Sequence, residues 1–373
     1  MTSKPLLALP TAVQRAKFRG CLLGGAIGDA LGAPVEFMRL PAIHDKFGPH
    51  GVTKFEHAYD GIGRITDDTQ MTLFTAEGLL RGYVRGCYKG ISSLVGTTAN
   101  AYQRWLKTQD EDFATQISEP DGWLLTHKEL HKRRAPGNTC LSSLRLMDQM
   151  DRPAQNDSKG CGAVMRVAPV GLYHAAGRHE ADFDVTFQLA AEIGAITHGH
   201  PTGYLAAGVF AVLIEVLARG LPLHLAIDFA KISLRRQNNH QETMLAIERA
   251  ERLAKSTLPI EKAIREIGEG WIAEESLAIS IYCALTADTF ERAVLAAINH
   301  DGDSDSTGAM TGNLMGAALG IELIPAEWQT QVELRDVVIE IADDLLDFPV
   351  WQIGEYIPRT TEAQTVWRKY PGS

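Results

Sequence analysis

Cysteine is scarce and scattered in this 373-residue chain. The five residues Cys21, Cys87, Cys140, Cys161 and Cys283 are odd in number and form no CxxC pair. That pattern excludes a disulfide framework and a thiolate zinc site. Positive charge is short as well: the formal net charge is −10, which argues against a surface that grips nucleic-acid phosphates by bulk attraction. No apolar run reads as long enough to span a bilayer, and no basic-then-apolar leader opens the chain, so no membrane partner and a cytoplasmic location are expected. Strand-like alternation is nearly absent, with the stretch 51–55 (GVTKF) the best candidate. Internal repeats, low-complexity tracts and linkers are missing too. A loose tail over 1–10 followed by one all-α domain over 11–373 is the simplest organisation.

What is present is glycine at helical spacing. In NHDGDSDSTGAMTGNLMGAALG, residues 299–320, Gly308, Gly312, Gly316 and Gly320 recur every fourth position. Near the N-terminus Gly20, Gly24 and Gly28 do the same, behind a capping box at Thr11 and Gln14. Glycines four apart share one helical face and admit another backbone, so these two helices are expected to cross in the core.

Acids cluster where helices should begin. Asp301, Asp303 and Asp305 precede the second glycine helix, and Thr66, Asp67, Asp68 and Thr69 precede the apolar stretch MTLFTAEGLLRGYV. One N-cap needs one acid or hydroxyl, and several carboxylates so close repel unless a cation lies between them. Capping and metal binding both remain open; hard oxygen donors without a thiol favour Mg²⁺, Mn²⁺ or Ca²⁺ over Zn²⁺. An EF-hand fails, because from Asp301 the turn glycine is Ser306 and the bidentate glutamate is Gly312. Two such starts invite a shared two-metal site. Asp29 reads as a cap or hydrogen-bond partner of a neighbouring segment.

Between these landmarks, 39–63 reads as irregular. Residues 102–122 read as a helix end and exposed loop, and 188–198 as a helix breaking at THGHP. Pro201 opens a helix with a 3.6-residue apolar period that Gly220 stops, and Asp288 with Glu291 reads as a capping box. The glycine loop before Val164 suits a phosphate only weakly, and Cys161 within it reads as a small buried thiol rather than a nucleophile. His198 and His200, in the break, are as suited to capping as to ligand contact.

Four blocks, RGCLLGGAIGDALGAPVE, ITDDTQMTL, GCGAVMRVAPVGL with THGHP, and NHDGDSDSTGAMTGNLMGAALG, resemble the ADP-ribosylglycohydrolase family, which includes the dinitrogenase-reductase-activating glycohydrolases. The resemblance implies an all-α domain with a central cleft holding two divalent cations, Mg²⁺ or Mn²⁺. Position by position it assigns Thr66, Asp67 and Asp68, with Asp303, Asp305 and Ser306, as metal ligands; Ser306 stands where some members carry Thr. Glu36, Asp67 and Asp303 are the implied catalytic acids. Ser158, Lys159, Gly160, Cys161, Gly162 and His198 are the implied holders of the diphosphate and its ribose, with Lys159 and Cys161 departing from the side chains of other members. The implied reaction removes ADP-ribose from a modified protein side chain, arginine above all, by cleaving at C1″. Two other readings stand beside it: a two-metal phosphohydrolase using His300 and Asp301, and a binder that blocks an ADP-ribosyltransferase.

Overall fold

The computed structural model describes residues 10–111, 121–177, 181–356 and 360–372. Residues 1–9 of the expected tail and 112–120 of the expected polar loop lie outside the described residues. Helices make up the structure: α1 Ala12–Gly32, α2 Leu40–Phe47, α3 Asp67–Lys89, α4 Leu94–Thr108, α5 Asn138–Arg145, α6 Ala168–Ala176, α7 Phe183–Ala195 and α8 Pro201–Ala218. There follow α9 Leu223–Arg235, α10 Gln241–Ala254, α11 Ile260–Ile267, α12 Ala273–Thr286, α13 Phe290–Ile298, α14 Ser304–Leu319, α15 Ala326–Gln331, α16 Arg335–Asp347 and α17 Thr361–Lys369.

The expected crossing of glycine helices is the axis of the core. An added Cβ would stand 2.5 Å from the Gly316 carbonyl oxygen at Gly20, 2.4 Å from that of Gly312 at Gly24, and 2.0 Å from that of Gly308 at Gly28. One index rises as the other falls, so α1 and α14 run antiparallel with their backbones in contact. No residue but glycine leaves that room. The consequence is positional: the C-terminal end of α1 lies against the N-terminal end of α14, where the acids are.

Helix α8 is buried all round, against α6, α7, α9, α12 and α14, rather than showing one apolar stripe. It also corrects the expectation about apolar runs. Its 18 residues have a mean hydropathy of 1.7 and would suffice in length and composition to cross a membrane, yet 89% of them are buried inside the protein.

Other departures are local. The stretch 39–63 is not irregular throughout: Pro41 in the first turn and Gly48 at the end delimit α2, and a short antiparallel hairpin pairs His57–Ala58 with Gly61–Ile62. Residues 51–55 form no strand. Helix α7 begins at Phe183, capped by Asp182, and ends before Thr197. The cap of α13 is Thr289, which accepts from the Arg292 N–H, while Asp288 bonds the Arg292 guanidinium instead.

Candidate functional site

The last turn of α1 gathers both acidic helix starts. Asp29, fully buried, accepts from the Thr66 N–H and hydroxyl and from the Thr69 N–H and hydroxyl, at 2.5–3.1 Å. It therefore caps α3 from outside and pins Asp67 and Asp68 beside α1. The same turn meets α14: a Cβ at Gly32 would stand 2.3 Å from the Ser304 carbonyl oxygen. Two remote segments thus face one cleft because both are anchored to the last turn of a single helix.

That cleft is a cavity of about 440 Å³, with Glu36, Asp67, Asp68, Asp303, Asp305 and Ser306 on its wall. Gly160, Cys161, Gly162 and His198 face it as well. Thr66 lies beneath the wall, its hydroxyl turned to Asp29 and to the Asp68 N–H. Ser158 and Lys159 do not line the cleft. The Ser158 hydroxyl pairs with Thr139 at 3.0 Å, and the Lys159 ammonium pairs with Glu242 and Glu274. His300 and Asp301 face elsewhere. His300 Nε2 lies 2.9 Å from the Thr307 hydroxyl, and Asp301 accepts from the Leu40 N–H. The pair suggested for phosphohydrolysis is therefore outside the cleft, and His200 is a cap, accepting from the Thr202 N–H.

Electrostatically the wall is overloaded with carboxylates. Burial and the charge of Asp305 push Asp29 up to about 7, and burial with the charges of Asp305, Asp303, Asp67 and Asp29 pushes Glu36 up to about 11. Burial first, and Asp305 next, hold Asp67, Asp68 and Asp303 well above the usual carboxylate range. Two oxygens on this wall, Glu36 Oε2 and Asp68 Oδ1, are buried with no hydrogen-bond partner among the described residues. Acid crowding and an orphaned hard donor at Asp68 Oδ1 are what a divalent cation relieves, so the residues fit such an ion in chemistry. They are not drawn tightly together as they stand: among the described residues no three His, Cys, Asp or Glu side chains are grouped to hold an ion. Asp303 instead accepts from the Cys161 thiol at 2.8 Å and caps α14 through the Ser306 N–H.

Cys161 is more exposed to the cleft than a buried packing thiol, but burial of its sulfur and the nearby Asp303 raise it well above an ordinary thiol. That is the opposite of an activated nucleophile. The His198 ring lies against the glycine loop, where a Cβ at Gly160 or Gly162 would come within 3.3 Å or 3.2 Å of it. Its Nδ1 lies 2.8 Å from the Thr197 hydroxyl, which accepts from Arg166 at 2.7 Å. A guanidinium has only protons to give, so the hydroxyl's own hydrogen is available to Nδ1 and the ring proton is placed on Nε2. Burial and the Arg166 charge depress His198 to about 3, so it faces the cleft as a neutral donor.

Sequence reasoning passed over Arg166, buried with its guanidinium 4.4 Å from the Tyr102 ring centre, and the cleft-lining Phe37, Asn138, Thr139 and Trp271. Phe37 adjoins Glu36 and was open to notice. Trp271 carries no local signal, because what brings it to the cleft is the bond from the Cys161 N–H to its carbonyl.

Residues 10–352 match the model of the family described as ADP-ribosylglycohydrolase. The chain is 27% identical over 320 residues to the ADP-ribosyl dinitrogen reductase glycohydrolase of Rhodospirillum rubrum, spanning 85% of this chain and 90% of that one. It is 26% identical over 372 residues to ADP-ribosylhydrolase ARH3 of Danio rerio, spanning 89% and 90%. To ADP-ribosylarginine hydrolase Tri1 of Pseudomonas putida it is 25% identical over 344 residues, spanning 90% and 79%. A solved structure described as an ADP-ribosylglycohydrolase-related protein complex has the same fold, with a TM-score of 0.60 at 24% identity over 90% of this chain and 99% of that one. A match over nearly the whole chain, on a fold that brings the acidic blocks to one cleft, places this protein in the ADP-ribosylglycohydrolase family.

Proposed function

We propose that the protein hydrolyses the bond between C1″ of ADP-ribose and the guanidinium nitrogen of a modified arginine on a target protein, with two divalent cations, Mg²⁺ or Mn²⁺, as cofactors. The observation that carries this reading is the shared cleft wall of Asp67, Asp68, Asp303 and Asp305, with Asp68 Oδ1 unpartnered among the described residues. The names of the Rhodospirillum and Pseudomonas relatives support the reaction class and the arginine linkage.

Asp67, Asp68, Asp303, Asp305 and the Ser306 hydroxyl, on the cleft wall, are the groups that would hold the cations, and the Thr66 hydroxyl would join them by turning from the Asp68 N–H. When bound, these supply Lewis acidity toward the ribose hydroxyls and a water, and offset the wall's negative charge. The rest falls to the chain. Gly160 and Gly162 leave room for phosphate or ribose at their backbone, and His198 Nε2–H donates to an oxygen there. Glu36, at the mouth, serves the proton that moves: water oxygen bonds to C1″, the C1″–N bond breaks with its electron pair going to nitrogen, and that nitrogen takes a proton. The products are ADP-ribose and unmodified arginine.

Substituting Asp303→Ala tests the assignment. Turnover should fall by at least about a hundredfold, as when a positioned charged group is lost. Near-normal hydrolysis at saturating substrate would refute it.

A further inference from the structure

At the mouth of the cleft two aromatic rings face each other from segments far apart in the chain. Phe37 and Trp271 stack with ring centroids 5.7 Å apart and planes 16° from parallel. Both line the cavity, yet Phe37 is 74% exposed and Trp271 38% exposed. An exposed phenyl beside an indole covers no core, and the ion pair of Arg39 with Glu269 ties the same two segments together nearby. The wall is therefore held in place while its outer face is left to solvent.

Directly next to Phe37 is Glu36, only 7% exposed, whose Oε2 has no hydrogen-bond partner among the described residues. A flat ring face and an unmet carboxyl oxygen on one acid-crowded cavity wall call for a ligand that is planar, cationic and a hydrogen-bond donor. Guanidinium meets all three conditions: it stacks on aromatic faces and donates N–H in its own plane. A primary ammonium lacks the plane, and a hydroxyl lacks the charge. The adenine base is the competing planar group. The two rings already stack on each other and leave no slot in which a base could be sandwiched, and a base on their outer face would show as lost ADP-ribose affinity.

We infer that Phe37 and Trp271 form the acceptor subsite, on which the guanidinium of the ADP-ribosylated arginine stacks while Glu36 accepts one of its N–H groups. This rests on the hydrolase reading above and adds the basis of its acceptor choice.

The experiment compares wild type with Phe37→Leu, Trp271→Leu and Phe37→Tyr. It uses an ADP-ribosyl-arginine peptide for steady-state kinetics and free ADP-ribose for equilibrium binding. Each leucine variant should raise KM for the peptide about three- to tenfold, the loss expected for a half-exposed cation–π contact. The Kd for ADP-ribose should stay within about twofold, and Phe37→Tyr, which keeps the ring, should retain the wild-type KM. Unchanged KM in both leucine variants would overturn the inference. An equal loss of ADP-ribose affinity would also overturn it, by assigning the rings to the nucleotide end. Failure of the wild-type protein to cleave the peptide at all would instead remove the hydrolase reading on which the inference rests.

Discussion

Gly28 and Gly308 touch backbone to backbone: a Cβ on Gly28 would stand 2.0 Å from the Gly308 carbonyl oxygen, and one on Gly308 would stand 2.5 Å from that of Gly28. The contact fixes the distance between the end of α1 and the start of α14, and with it the separation of Asp29 from Asp303 and Asp305. Gly28→Ala sets two effects against each other. Alanine gains up to about 1 kcal/mol in a helix interior, while forcing two backbones apart costs about 1–3 kcal/mol. The clash should win, lowering the thermal midpoint, whereas Gly86→Ala in α3, whose added Cβ would find nothing nearer than 3.9 Å, should raise it. Thermal unfolding of both variants checks the signs.

Asp29 offers the second test. Asp29→Asn keeps one acceptor oxygen and presents an NH₂ group to donors that now find a carboxylate. The Thr69 N–H and hydroxyl lie on one oxygen at 3.1 and 2.5 Å, the Thr66 hydroxyl lies on the other at 2.8 Å, and the Thr66 N–H lies 3.0 Å from both. Turning the NH₂ toward Thr69 leaves the Thr69 N–H unmet, and turning it the other way takes the acceptor from the Thr66 hydroxyl, at about 1–3 kcal/mol for a buried donor left unmet. Hydrogen exchange at the first turn of α3 should speed up in the variant. Unchanged protection there would show that Asp29 does not hold that turn.

The legible parts of this fold are the periodic ones. Glycines four apart forecast the α1–α14 contact, and repeated acids at helix starts forecast one cleft, because both signals are local. What escaped was nonlocal or was hidden behind composition. Helix α2 carries Pro41 in its first turn and Gly48 after its last, but the surrounding Gly, Pro and His masked it. Asp301 has the same spacing as Asp303 and Asp305 yet turns to the α2 start, since alternation in sequence does not decide which way a loop side chain points. Lys159 stands in the glycine loop but is held outward by Glu242 and Glu274, two acids with no sequence relation to it.

Histidine burial sets an acid limit on stability. Burial and the charge of Arg219 depress His174 to about 4, below the ordinary value of 6.5. Below pH 6.5 the unfolded chain therefore binds a proton that the folded chain refuses, so stability is full above 6.5 and falls as pH drops toward 4. His198, depressed to about 3, acts in the same direction over a wider range. In His174→Gln, urea unfolding midpoints measured from pH 7 to pH 4.5 should decline less steeply than in wild type. Parallel slopes would remove His174 from the account.

The most direct measurement is mass spectrometry of an ADP-ribosyl-arginine peptide incubated with the protein, with Mg²⁺ or Mn²⁺ added and with chelator. The expected result is loss of the entire ADP-ribose unit, leaving unmodified arginine, in the cation-containing sample alone. A peptide that keeps its ribose and loses only phosphate or nucleoside, or one that stays intact with either cation present, would contradict it.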